Sequence, residues 1–253
     1  MTETAAADRL LGGRVRFEQP RRGYRAAIDP VFLAAYAEPP HQGRVIDLGC
    51  GAGAALLCLA ARRTDLWLTG LDIDAEALSL ARSNVADNGY DSRVTLFQGD
   101  AADPPVAVPR NSFDAVIMNP PFNTPGRDPA PPDASKARAH VEPDNGLAQW
   151  LDGARRLLRQ RGQLTLIYRA DRLDHVLAKL RPNFGSVIMT PLWPKKDQAA
   201  KRVLITAVKG GNAPLSLEPG VVLHTRDGAF TPAAESVLRA GSDLRTAASL
   251  PSA

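Results

Sequence analysis

Along the chain, short runs of apolar and β-branched residues alternate with longer stretches in which apolar positions recur every three or four residues. The short runs predict buried strands and the longer ones amphipathic helices. Residues 44–48, 67–72, 93–97, 113–118 and 162–168 read as strands. Helices are expected at 54–63, at 75–87 (closed by Asn88-Gly89, a helix-stop signal), at 147–159 and at 171–180. Strand–helix alternation of this kind predicts an α/β fold, a doubly wound parallel sheet with right-handed crossovers. Strands at 186–189 and 202–208 bring the total to seven. No full helix separates these two, which predicts a hairpin and an antiparallel strand at the sheet edge.

Residues outside that alternation suggest four parts. Residues 1–40 form an N-terminal extension, with a strand over 14–19 turning at Pro20-Arg21-Arg22-Gly23 and a helix opened by Asp29-Pro30. Asp at the N-cap followed by Pro at the first helical position is a start signal. Residues 41–212 form the core. Residues 213–241 add a strand near 221–224 and a short helix from Pro232, and 242–253 read as a disordered tail. The stretch 123–146, rich in Pro, Asp and Ala, is long for a connection in a compact domain and is expected to be a mobile functional loop.

Composition narrows the function. With 253 residues, 44% of them hydrophobic, the chain has material for one large α/β core. A net charge of +4 is compatible with a polyanionic partner. Cys50 and Cys58 lack CxxC spacing, and His41, His140, His175 and His224 are scattered, so no metal site and no disulfide framework is expected. No apolar stretch is long enough for a membrane span and no signal peptide is evident, so a cytoplasmic protein is expected.

The chemistry lies at four strand ends. After 44–48 comes Gly49-Cys50-Gly51-Ala52-Gly53, a turn whose glycines permit close backbone approach to a ligand. By itself this also satisfies the dinucleotide-binding template, so an NAD protein stays open. The next strand ends in Asp72, placed to accept hydrogen bonds from ribose hydroxyls, and Asp74 reads as the N-cap of the helix from Ala75. The third leads into Asp100, suited to an adenine amino group. The fourth runs into Asn119-Pro120-Pro121-Phe122. Two adjacent prolines cannot continue a central strand, because neither offers an N–H. The turn therefore presents the Asn119 amide, the Pro120 carbonyl and an aromatic face, a pocket for a planar group bearing an –NH2.

Together these residues resemble the class I S-adenosylmethionine-dependent methyltransferases, which are Rossmann-like, and among them the amino-methyltransferases with an Asn-Pro-Pro-aromatic motif. The flanks resemble the bacterial tRNA adenine-N6 methyltransferases acting on a valine tRNA: Phe17-Glu18-Gln19-Pro20, Gly23-Tyr24-Arg25 and Ile28-Asp29-Pro30 at the start, Lys201-Arg202-Val203-Leu204 and Asp227-Gly228-Ala229-Phe230-Thr231 near the end. The resemblance implies S-adenosylmethionine as cofactor, held by Asp47, Gly49, Gly51, Gly53, Asp72, Ile73, Asp100, Ala101 and Asn119. It implies Asn119, Pro120 and Phe122 as catalytic residues and RNA, foremost tRNA, as the partner. Arg21, Arg22, Arg25, Asp29, Pro121, Arg127, Lys136, Arg138 and His140 are the substrate-binding candidates. The rival acceptors are guanine N2 in rRNA and a glutamine amide in a release factor; the non-enzymatic rival is a cofactor- or RNA-binding module.

Overall fold

A computed structural model describes residues 6–19, 28–121 and 146–248 of the chain. Nine strands form one sheet: β3 (Arg44–Leu48), β4 (Trp67–Asp72), β5 (Val94–Gln98), β6 (Phe113–Met118), β7 (Leu158–Arg169), β8 (Phe184–Trp193), β9 (Arg202–Lys209), β10 (Ser216–Leu217) and β11 (Val221–Val222). Their order is β10-β8-β9-β7-β6-β3-β4-β5, with β11 also on β8. The seven long strands are those the pattern predicts. From β7 to β5 every neighbouring pair is parallel. The helix-free pair β8–β9 is the expected antiparallel hairpin, but the reversed strand is not at the edge as expected: β9 sits between β7 and β8.

Alternation along each strand separates two cores. Val45, Ala115, Ile117 and Leu204 face one side, with α1 (Asp29–Tyr36), α2 (Ala54–Arg62) and Val85 of α3 (Ala75–Asp87). Ile46, Val116, Met118, Val203 and Ile205 face the other, with α4 (Gly146–Leu157) and α5 (Leu173–Leu180). Every residue from Pro30 to Tyr36 is buried, so α1 is a core helix with no solvent face.

The N-terminal hairpin differs from expectation. Strand β2 (Val15–Gln19) pairs backward with β1 (Ala6–Leu10), a strand the sequence did not signal. The turn is Leu11-Gly12-Gly13, where all three residues have positive φ. Two glycines make that reversal inexpensive, whereas the forward turn lies outside the described residues. The expected disordered tail is also corrected in part: Leu244–Ala248 forms α7, and Leu244 and Ala247 are buried in the α1–α2 core beside Val237. A short helix α6 (Pro232–Glu235), capped by Thr231, precedes it. Arg62 ties this C-terminal part to α2, donating to the Ser242 and Val237 carbonyls at 2.7 and 2.9 Å.

Two asparagines on α3 hold β2. Asn84 accepts from the Glu18 N–H at 2.7 Å and donates back to the Glu18 carbonyl at 2.8 Å. One helical turn later, Asn88 does the same with Arg16, at 2.9 and 2.7 Å. Each such bond contributes about 0.5–1.5 kcal/mol net.

Candidate active site

Because β6, β3, β4 and β5 are parallel neighbours, their carboxyl ends lie side by side on one edge of the sheet. Asn119, the glycine turn, Asp72 and Asp100 follow those four ends in that spatial order. The chain runs outward from β3 to β5 and then returns to β6 on the other side of β3. That reversal is the switch point where open α/β sheets bind ligands.

The glycine turn is fastened to β4. The Gly49 and Cys50 N–H groups both donate to the Leu71 carbonyl, at 2.8 and 3.1 Å. Asp72 then accepts from Gly51 N–H at 2.6 Å through one carboxylate oxygen and from Asp74 N–H at 2.9 Å through the other. Burial raises the Asp72 pKa, and those two backbone donors oppose the shift. Asp74 caps α3 as expected, accepting from the Glu76 and Ala77 N–H groups. Asp100 is exposed and accepts from Ala102 N–H at 2.8 Å, while Ala101 is buried. Ile73, directly after Asp72, is 67% exposed.

Asp47 lies beneath the turn, 2% exposed, on the face of β3 that looks toward α2. Its burial, and then the neighbouring Asp72 carboxylate, push its pKa well above the usual carboxylate range, partly offset by the Leu56 N–H. Among the described residues its Oδ2 has no hydrogen-bond partner.

The three glycines of the turn, all at positive φ, have different surroundings. At Gly51 an added Cβ would meet nothing within 4 Å, so this position is an open cradle. At Gly49 the space is already taken: a Cβ would collide with Cη2 of the Trp150 indole, carried on α4. Farther along α4, Gly153 packs against the Ala101 carbonyl and Arg156 bonds Asp103 and the Ala102 carbonyl. Helix α4 thus spans from the glycine turn to the Asp100 loop. Trp150 was not legible as a site residue, since one tryptophan on an amphipathic helix looks like core.

Asn119 is half-buried directly after β6, Pro120 is buried and Pro121 half-buried. Phe122 lies outside the described residues, as do Arg21, Arg22, Arg25, Arg127, Lys136, Arg138 and His140. Asp29 is not an N-cap; it is the first residue of α1, with Ile28 in the capping position. Its carboxylate instead pairs with Arg202 Nε at 2.8 Å, at the end of β7 and the start of β9. The adjacent arginines Arg62-Arg63 and Arg155-Arg156 serve the fold. Arg63 pairs with Asp65 and bonds the Pro39 carbonyl, and Arg155 and Arg156 both pair with Asp152.

The residues fit an S-adenosyl cofactor. An open glycine cradle lies beside a carboxylate at a strand end, a buried unpaired acceptor stands below it, and an exposed aliphatic side chain flanks it. Fold and site together define a Rossmann-like S-adenosylmethionine-dependent methyltransferase.

Comparison with known proteins narrows this. Residues 29–190 match the family model of the methyltransferase small domain, and the chain belongs to that family. It is similar to the tRNA1(Val) (adenine(37)-N6)-methyltransferase of Aeromonas salmonicida, 29% identical over 85% of this chain and 88% of the relative. The enzyme of the same name from Dyadobacter fermentans is 26% identical over 83% and 86%. Among solved structures, a predicted O-methyltransferase from Agrobacterium tumefaciens superposes with a TM-score of 0.68 at 28% identity, covering 83% of this chain and 94% of that one. No helix among the described residues is long and apolar enough to cross a membrane.

Proposed function

We propose that this protein methylates the exocyclic N6 amine of an adenine in tRNA, in the cytoplasm. The observation that carries the proposal is the position of Asn119-Pro120-Pro121 at the end of β6, the strand beside the glycine turn. The relatives' names supply the acceptor. When bound, S-adenosylmethionine supplies an electrophilic methyl group. Asp72 and the Gly51 cradle would hold its ribose, Ile73 and Asp100 its adenine, and Asp47 the ammonium end, where the ligand's positive charge would favour the ionised carboxylate.

An adenine amine is a poor nucleophile, since its lone pair is delocalised into the ring. The Asn119 side-chain oxygen and the Pro120 carbonyl each accept one of its N–H bonds. Both hydrogen bonds strengthen as the nitrogen becomes pyramidal and gains positive charge, so they favour the transition state over the ground state. Proline at 121 leaves no backbone N–H beside the Pro120 carbonyl to compete for it. Phe122 stacks on the flipped base, a contact worth about 1–3 kcal/mol. Arg21, Arg22, Arg25, Arg127, Lys136, Arg138 and His140 flank these motifs in sequence and are assigned to the RNA, with Asp29 and Pro121 at the edge of the base pocket.

The test is transfer of labelled methyl into unmodified tRNA, rRNA and a release factor, followed by nucleoside and amino-acid analysis. Label in N6-methyladenosine from tRNA supports the proposal. Label in N2-methylguanosine, in glutamine, or in a hydroxyl oxygen overturns the acceptor. Asn119→Ala is expected to lower turnover at least ~100-fold, by analogy with removal of one oxyanion-hole donor. S-adenosylhomocysteine affinity should stay nearly unchanged; parallel loss of both would indicate a misfolded variant.

A further inference from the structure

Asn84 is 1% exposed, and both N–H groups and the oxygen of its amide are engaged by two parts of the chain. Toward the N-terminal hairpin it exchanges two hydrogen bonds with Glu18. Toward the cofactor site its Nδ2 donates at 3.0 Å to the carbonyl of Ala52, the residue between Gly51 and Gly53. Two carbonyls and one N–H converge on this side chain, so its orientation is forced: a flipped amide would set its oxygen against both carbonyls. Asn88 is the internal control. It makes the equivalent pair of bonds to Arg16, but its remaining bond goes to the Asn84 carbonyl on its own helix. The two asparagines fit β2 because four residues of helix advance about 6 Å and two residues of strand about 7 Å. Only one rung of this ladder reaches the glycine turn.

We infer that Asn84 is a positioning residue that couples the glycine turn to the N-terminal hairpin, so that filling the cofactor site seats β2 and a seated β2 favours cofactor binding. The inference rests on the reading of the glycine turn as the cofactor site. Hairpin and turn both hydrogen-bond to one amide, so whatever fixes the Ala52 carbonyl also fixes the donor offered to Glu18. The coupling is reciprocal by linkage.

The experiment combines calorimetric titration of S-adenosylhomocysteine with hydrogen exchange at the amides of residues 15–19, in wild type and in Asn84→Asp, Asn84→Ser and Asn88→Ala. Asp keeps the acceptor and the shape but loses both donors; Ser covers the case in which the Asp variant fails to fold, as judged by thermal melting. In wild type, the ligand is expected to slow exchange at Glu18. In the Asn84 variants, affinity should fall about 5-fold or more, and the hairpin should no longer respond to ligand. In Asn88→Ala, exchange at Arg16 should quicken while ligand affinity is unchanged. Wild-type affinity in the Asn84 variants, a persistent hairpin response, or an equal loss in Asn88→Ala would overturn the coupling while leaving the cofactor reading intact. Absence of S-adenosylhomocysteine binding by wild type would overturn both.

Discussion

Asp47 holds a carboxyl group that its surroundings disfavour as an anion, through burial first and the Asp72 charge second. Its proton is held more tightly in the folded protein than in the unfolded chain, where the ordinary value is 3.8. Across the window from that value up to the raised one, the folded state binds the extra proton, so the stability of the unliganded protein falls as pH rises. Asp47→Asn removes this linkage. Its melting temperature without ligand should rise at neutral pH, by about 2–4 °C for each kcal/mol relieved, and the slope of stability against pH should flatten. S-adenosylhomocysteine affinity should drop in the same variant. An unchanged pH slope would show that Asp47 is not the group responsible. At this scale the sequence was partly legible. The acid at a strand end and the glycines after it were visible, because such signals are local. What each glycine faces was not: Gly51 lines open space and Gly49 meets Trp150, 101 positions further along the chain.

Helix α3 shows how one element serves several purposes. It starts at the Asp74 cap beside Asp72, buries Leu78, Ala81 and Val85 along one stripe, and presents Asn84 and Asn88 one turn apart to β2. Asp74→Ala should cost about 1 kcal/mol of stability, the usual loss for an N-cap. Because Asp74 N–H also donates to Asp72, fraying of this first turn should weaken S-adenosylhomocysteine binding too. Equilibrium unfolding in urea checks the first expectation and calorimetry the second; full stability would show that the Glu76 and Ala77 N–H groups find other acceptors. The cap and the Asn88-Gly89 stop were readable from sequence because capping chemistry acts within three residues. The ladder to β2 was not, since Asn84 and Glu18 are 66 positions apart and asparagines near a helix end usually mark only that end. The pairing of β2 with β1 was not legible for a related reason. Ala6–Leu10 carries no strand signal of its own, and only its pairing with β2 makes it one.

Across the whole molecule, the carboxyl ends of β6, β3, β4 and β5 continue into a basic rim at the end of β7 and the start of β9. Arg169 pairs with Arg202 across the two strands, and Lys196 and Lys201 are exposed on the connection before β9. Asp171 and Asp29 partly neutralise the two arginines, which leaves the lysines as the better phosphate contacts. Lys196→Glu with Lys201→Glu should weaken tRNA binding uniformly across sequences and reduce the slope of log affinity against log salt by roughly one per lysine. A wild-type slope in the double variant would place the RNA elsewhere. The alternation of apolar runs was enough to specify the fold class, and the glycine turn, the strand-end acids and the Asn-Pro-Pro turn pointed to the cofactor and the reaction through the family they resemble, because each of these signals depends on neighbours a few residues away. The order that sets Asn119 beside the glycine turn, the burial that raises the Asp47 pKa, the indole against Gly49 and the Asn84 link all needed the folded chain. They arise from contacts between segments tens of residues apart, and no local pattern encodes which distant surface a side chain will meet.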